Sequence, residues 1–236
     1  MKNILLLGAT GSIGDSALDV IFQNPESLNL YGMAFNSNID KALDIANKFF
    51  PDYAYIENSN HQKTLIEKVH AETEILSGKD ELHNLLNDPK VDVIISAISG
   101  FSGLETTLMA AKTGKTILLA NKESIVVAGD IILPLAKEFN TNVIPIDSEH
   151  NAIFQCLVGE RAKEDVSKII ITASGGPFIN KSLDELEMVT KEQALKHPNW
   201  EMGSKISIDS ATLVNKCLEL IEAKYLFDLN EKFFKL

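Results

Sequence analysis

The sequence predicts an α/β fold, in which an N-terminal parallel sheet carries helices on both faces and a smaller α+β region follows. Three observations carry this expectation. Strand-like and helix-like stretches alternate over the first two-thirds of the 236 residues, which implies right-handed β-α-β units. The strand-like stretches are short continuous apolar runs, as expected of strands buried on both faces. After about residue 147 the texture changes to a stretch with glycine, proline and an isolated Trp, and then to a helix.

The elements follow in order. Residues 3–7 read as a buried strand, and Ile13, Ala17, Val20 and Ile21 follow at helical spacing. Residues 30–35 form a second strand and 41–49 a second helix. Residues 91–97 (V-D-V-I-I-S-A) are another buried strand, with a helix near 104–112. Strands at 116–120 and 142–146 complete the first region, expected to span 1–147. In the second region, 148–236, residues 168–172 (K-I-I-I-T) read as a strand and 211–226 as a helix. With no linker at the boundary, the two parts are expected to share an interface.

The charge balance excludes some functions. The chain has 22 basic and 33 acidic residues, a formal net charge of −11, which disfavours binding to nucleic acid or to anionic membranes. Arg161 is its only arginine, so a phosphate would have to be held by Lys, hydroxyls, amides or helix N-termini. No apolar run approaches the ~18 residues of a membrane span, and the run at 4–7 is too short for a signal peptide. The expected location is cytoplasmic, with Cys156 and Cys217 as reduced, buried thiols. His61, His70 and His83 fall on polar helical stretches and read as solvated; His150 reads as a helix-start residue rather than a metal ligand.

Gly8-Ala9-Thr10-Gly11-Ser12-Ile13-Gly14 sits directly between the first strand and the first helix. This G-x-x-G-x-x-G spacing is a variant of the dinucleotide fingerprint: small residues admit the pyrophosphate, and the helix N-terminus supplies N–H groups. A tight turn without a ligand is the plainer alternative. Where an NAD-preferring site would carry an acid after the second strand, this chain has Asn36-Ser37-Asn38, which favours NADP. Lys41 is the nearest base, and the triplet also suits a plain turn.

Asp147 and Glu149 in P-I-D-S-E-H-N are two apart, so in extended chain they would share a face. Two carboxylates at the end of a strand repel unless a hard cation such as Mg²⁺ or Mn²⁺ joins them; a solvated acidic turn with Ser148 as cap is the alternative. Further on, Asp209 or Ser210 can cap a helix on which Asn215 and Glu219 are i, i+4 neighbours flanked by Lys216. That set suits a phosphorylated, hydroxylated ligand, or a capped surface helix. Ser174 lies in a glycine-bearing turn after a strand, and His197-Pro198-Asn199-Trp200 places the only Trp in a loop, suited to a lid.

Taken in this order, G-A-T-G-S-I-G at 8–14, A-N-K-E-S at 120–124, D-S-E-H-N at 147–151, A-S-G-G-P-F at 173–178, H-P-N-W at 197–200 and D-S-A-T-x-x-N-K-x-L-E at 209–219 resemble the 1-deoxy-D-xylulose 5-phosphate reductoisomerase family from end to end. The resemblance implies a Rossmann-like NADP-binding domain over 1–147 and a catalytic domain over 148–236. It implies NADPH- and divalent-metal-dependent rearrangement and reduction of 1-deoxy-D-xylulose 5-phosphate to 2-C-methyl-D-erythritol 4-phosphate, in non-mevalonate isoprenoid precursor synthesis. Asp147, Glu149 and Glu219 match the metal ligands, and Lys122, Glu149 and His197 match catalytic positions. Lys122, Ser148, Glu149, Ser174, His197, Trp200, Ser210, Asn215, Lys216 and Glu219 match substrate contacts, with Trp200 as the lid. Thr10, Gly11, Ser12, Ile13, Asn121, Glu123 and Gly203 match cofactor contacts, joined by Asn36, Ser37 and Asn38 at the 2′ position. The expected partners are a phosphorylated sugar and, in full-length members, a second copy of the chain as a homodimer.

Two departures from the family pattern stand out. Some members carry a basic residue where this chain has Ser37, which bears on NADP preference. Members also continue well beyond residue 236, so the catalytic domain is expected to be incomplete, the C-terminal helical domain absent, and the isolated chain poorly folded or inactive. Two other readings stay open: an NADP-dependent oxidoreductase of the semialdehyde dehydrogenase type, with Cys156 as its only candidate nucleophile, and a non-catalytic NADP-binding module.

Overall fold

The computed structural model describes residues 1–69, 72–157, 159, 165–198 and 203–235. His70, Arg161, Asn199 and the expected lid residue Trp200 lie outside them. The chain divides into two compact units, Met1–Ile146 and Asp147–Leu236.

Unit 1 follows the predicted alternation: β1 (Lys2–Leu7), α1 (Ser12–Gln23), β2 (Leu28–Phe35), α2 (Ile39–Phe49), β3 (Tyr53–Ile56), α3 (Gln62–Lys68), β4 (Glu74–Leu76), α4 (Lys79–Asn87), β5 (Val93–Ser96), α5 (Leu104–Ala110), β6 (Thr116–Leu119), α6 (Lys122–Glu138) and β7 (Asn142–Pro145). The seven strands form one parallel sheet in the order β4-β3-β2-β1-β5-β6-β7. Leu5, Leu6 and Leu7 are wholly buried because helices cover both faces, which is why the strands read as unbroken apolar runs. One core cluster gathers Leu6, Leu18, Ile21, Leu30, Met33, Phe35, Ile45, Ile56, Leu65 and Ile95.

Two details differ from expectation. The buried stripe of α1 is Gly14, Leu18 and Ile21, whereas Ile13 and Val20, seven residues apart, are exposed on another face. β3 and β4, at four and three residues, are too short to show a period in the sequence and escape prediction.

Unit 2 holds α7 (Ser148–Cys156), β8 (Ile169–Ile170), α8 (Leu183–Leu186), α9 (Lys191–Ala194), α10 (Ser204–Ala211), α11 (Val214–Phe227) and β9 (Phe234–Lys235). α8 and α9 are single turns fixed by capping boxes, Ser182 with Glu185 and Thr190 with Gln193. The expected five-residue strand at 168–172 shrinks to a two-residue parallel pairing with β9. The helix expected over 211–226 is α11, which starts at Val214; Leu213, whose φ is +61°, separates it from α10. Thr212 turns its hydroxyl back to the Ile208 carbonyl at 2.9 Å, a bond that competes with helix continuation. A small apolar core joins Ile153, Ile171, Ala223, Phe227, Leu229 and Phe234.

Both cysteines are exposed, contrary to the expectation of buried thiols. α7 turns His150 and Ile153 inward, and α11 turns Lys216, Glu219, Ala223 and Phe227 inward; Cys156 and Cys217 fall off these stripes. His61 and His83 are exposed as expected. Among the described residues, no helix is long and apolar enough to cross a membrane.

Candidate functional site: a glycine loop and an acidic cluster

In unit 1 the strand order reverses between β1 and β5, the switch point at which open α/β sheets bind ligands beyond the carboxyl ends of their strands. The glycine loop leaves β1 there. Gly8 takes φ +88°, and a Cβ on it would strike the Ala97 carbonyl after β5. A Cβ on Gly14 would collide with the Ala9 carbonyl, so this glycine lets α1 approach the loop. Gly11 is the extended N-cap of α1 and offers no side-chain acceptor to the first-turn amides. Thr10 is half-buried around this N-terminus, and Gly11, Ser12 and Ile13 are exposed.

Asn36, Ser37 and Asn38 are all exposed at the end of β2. Asn38 has a local duty: its side-chain oxygen accepts the Lys41 N–H at 3.2 Å and caps α2. The Lys41 ammonium pairs with Asp15 at 2.7 Å, so the nearest base is engaged on α1. Asn121 is the N-cap of α6, Lys122 and Glu123 open that helix, and Lys122 is buried. Gly203 lies in unit 2, where it is the N-cap of α10.

In unit 2, Asp147 is the N-cap residue of α7 and Glu149 lies in its first turn. The two acids therefore converge at a helix start, not along an extended chain as first expected. From α11, Glu219 joins them: one ligand atom of each of Asp147, Glu149 and Glu219 lies within 4.8 Å of the others. The Lys216 ammonium donates to Glu149 and, at 2.7 Å, to Glu219. The Asn215 amide donates to the other Glu219 oxygen, realising the predicted i, i+4 pair. Ser148 donates to Glu149 at 2.6 Å. Asp209 and Ser210 do not cap a helix. They sit near the end of α10, where Asp209 pairs with Lys205 at 2.7 Å, one turn back.

A third group gathers beside α10. The Ser174 hydroxyl lies 3.0 Å from His197 Nε2 and accepts the Gly176 N–H at 3.3 Å. Gly176 takes φ +66°, and a Cβ there would come within 2.9 Å of the Ser210 carbonyl. This glycine thus lets the turn carrying Ser174 pack against Ser210. Ser174 and His197, 23 residues apart, are brought together by the fold alone.

Behind the acids lies a pair the sequence reading passed over. His150 is wholly buried in the first turn of α7, as its helix-start reading expected, but its ring packs onto α11. Its Nε2 donates to the Glu219 carbonyl at 2.9 Å, and its Nδ1 faces Glu222 at 3.2 Å and Asp147 at 3.4 Å. Burial alone would drive the proton off this ring. The Asp147 and Glu222 carboxylates and the Glu219 carbonyl outweigh it and hold the pKa above the usual histidine value. The E-L-I-E spacing of Glu219 and Glu222, three apart on one helix face, was the available signal.

Two family models match the chain. Residues 4–129 match the model described as 1-deoxy-D-xylulose 5-phosphate reductoisomerase. The chain belongs to this family. Residues 143–227 match the reductoisomerase C-terminal domain model. A reductoisomerase from Clostridium tetani is 50% identical over 233 residues, covering 98% of this chain and 60% of that protein. One from Bacteroides fragilis is 45% identical over 227 residues, covering 96% and 58%. Among solved structures, a reductoisomerase in complex with NADPH, fosmidomycin and magnesium superposes with a TM-score of 0.92 at 43% identity, covering 99% of this chain and 60% of that one. The Zymomonas mobilis reductoisomerase in complex with NADPH gives 0.89 at 42%, with the same coverage. The chain spans about 60% of the length of the curated reductoisomerases it matches. The match sets aside the semialdehyde dehydrogenase alternative and its need for a nucleophilic Cys156.

Proposed function

We propose that the chain carries the nucleotide and metal sites of a 1-deoxy-D-xylulose 5-phosphate reductoisomerase. The observation that bears most weight is the convergence of Asp147, Glu149 and Glu219 from two helices. Their donors are all oxygens, which suits Mg²⁺ or Mn²⁺. Three carboxylates beside the Lys216 ammonium leave two negative charges over, the charge a divalent cation brings. The glycine loop at the switch point is the proposed NADPH site, with Thr10, Gly11, Ser12 and Ile13 at the helix start and Asn36 and Ser37 toward the 2′ position. Glu123, in the first turn of α6, is proposed as a further cofactor contact.

When bound, the cation would supply Lewis acidity toward vicinal substrate oxygens, and NADPH the hydride. The chain's own residues would bind and orient the phosphorylated sugar. Ser174, Ser210 and His197 present hydroxyls and an imidazole suited to phosphate oxygens. With a divalent cation neutralising the acids, Lys216 and Asn215 would be released from Glu149 and Glu219 to donate to substrate instead. This suits a chain with a single arginine, Arg161. Ser148 is proposed as a further substrate contact, and Trp200 as the residue that excludes water. A homodimer and a cytoplasmic location rest on the family alone.

The test is NADPH oxidation with 1-deoxy-D-xylulose 5-phosphate and Mn²⁺, with and without chelator, alongside direct Mn²⁺ titration. Glu149→Gln is expected to weaken Mn²⁺ binding by at least about tenfold while leaving NADPH affinity unchanged. Unaltered Mn²⁺ binding in that variant would remove the metal assignment.

A further inference from the structure

The resemblance assigns Asn121 to the cofactor contacts, yet its side chain is already committed. The residue is 2% exposed. A side-chain amide has two N–H donors and an acceptor oxygen with two lone pairs. Both donors are used: Nδ2 donates to the Ile98 carbonyl and, at 2.8 Å, to the Gly100 carbonyl. The oxygen accepts the Ser124 N–H at 2.7 Å, which makes Asn121 the cap of α6. No donor remains for a phosphate, hydroxyl or carboxamide oxygen of a nucleotide.

What the amide holds is informative. The Ile98 and Gly100 carbonyls belong to the loop that leaves β5 at the switch point, directly beside the loop of Gly8. The Ser124 N–H belongs to the first turn of α6. That turn is set apart from the rest of the helix by non-helical backbone at Ala128. Beneath it lies a buried hydroxyl cluster. Ser96 and Thr107 oxygens are 3.0 Å apart, Ser124 donates to Thr107 at 3.4 Å, and Thr107 donates to the Gly103 carbonyl at 2.7 Å. Gly103 leaves the space the amide needs, because a Cβ there would overlap both Asn121 Nδ2 and the Ile98 carbonyl.

We infer that Asn121 is a positioning residue. It acts on NADPH by locking residues 98–103 to the first turn of α6, and its amide N–H groups donate to no cofactor atom. The inference rests on the proposed nucleotide site of unit 1. Gly103 is its steric counterpart, a residue that no motif singled out.

The test is calorimetric titration of the 236-residue chain with NADPH, paired with amide hydrogen exchange without nucleotide. Asn121→Ser retains a capping oxygen but supports neither carbonyl bond as the amide does, and Gly103→Ala crowds an intact Asn121. Each is expected to weaken NADPH binding about tenfold, and the double variant no more than either alone, because both break one lock. Exchange should quicken at residues 98–103 and 122–127 while β1 amides stay protected, which separates loss of positioning from loss of fold. Losses that multiply in the double variant would indicate direct contact and overturn the inference. So would unchanged affinity in Asn121→Ser, or unchanged exchange at 98–103. If the unmodified chain binds no NADPH, the nucleotide reading falls and this inference with it; unchanged affinity in the variants alone refutes only the positioning role.

Discussion

Unit 1 and unit 2 are built on opposite principles. Unit 1 buries leucines, isoleucines and small residues between a parallel sheet and its helices, and, Lys122 apart, its buried polar side chains are uncharged hydroxyls and an amide. Unit 2 has a small apolar core and two-residue strands, and it buries Lys216, Glu219, Glu222 and His150 nearly completely. Apolar burial is non-directional and tolerant, whereas a buried charge is stable only with its partner in place. The first unit therefore provides a rigid frame whose chemistry sits at loop ends. The second buries part of its chemistry, Lys216 and Glu219, in its interior.

The largest expected effect is in unit 2. Glu222→Ala strips His150 of a buried carboxylate partner and should cost about 4 kcal/mol in the unfolding of that unit, the scale of breaking a buried ion pair. Urea denaturation followed at α11 amides checks it. A cost below about 1 kcal/mol would mean the charges of unit 2 do not hold it together. In unit 1, Leu6→Ala should cost about 3 kcal/mol through the cavity it leaves, measured on the β1 amides.

The smallest effect concerns pH. The pKa of His150 is raised in the folded state. Its stabilisation is therefore fully present below the unfolded value of about 6.5 and fades as pH rises through the folded value. In metal-free protein, unit 2 should lose stability on the alkaline side and unit 1 should not follow through this group. His150→Gln should flatten that dependence, and an unchanged slope would show that the buried imidazole is not the titrating group.

Much of this architecture was legible in the residues. Unbroken apolar runs announced the central strands because both sheet faces are covered. The glycine string announced its loop because Gly8 and Gly14 sit where a Cβ would collide. In the second unit the acids and the N-K-x-L-E helix were readable as residues, but not how they met. Local signals misled there. Asp147 and Glu149 looked like strand neighbours and are helix-start neighbours, while Asp209 looked like a cap and lies inside α10.

The sequence by itself determined the layer order of unit 1, the place of the glycine loop and the residue types able to hold a cation. Those features follow from periodicity, glycine sterics and donor chemistry, which act over a few neighbours. Only the tertiary structure decided that Glu219 meets Asp147 and Glu149, that Ser174 meets His197, and that Asn121 spends its hydrogen bonds on the protein itself. Apart from the local cap on Ser124, such pairings span 21 to 72 residues of chain, and no local pattern encodes a contact that only folding closes.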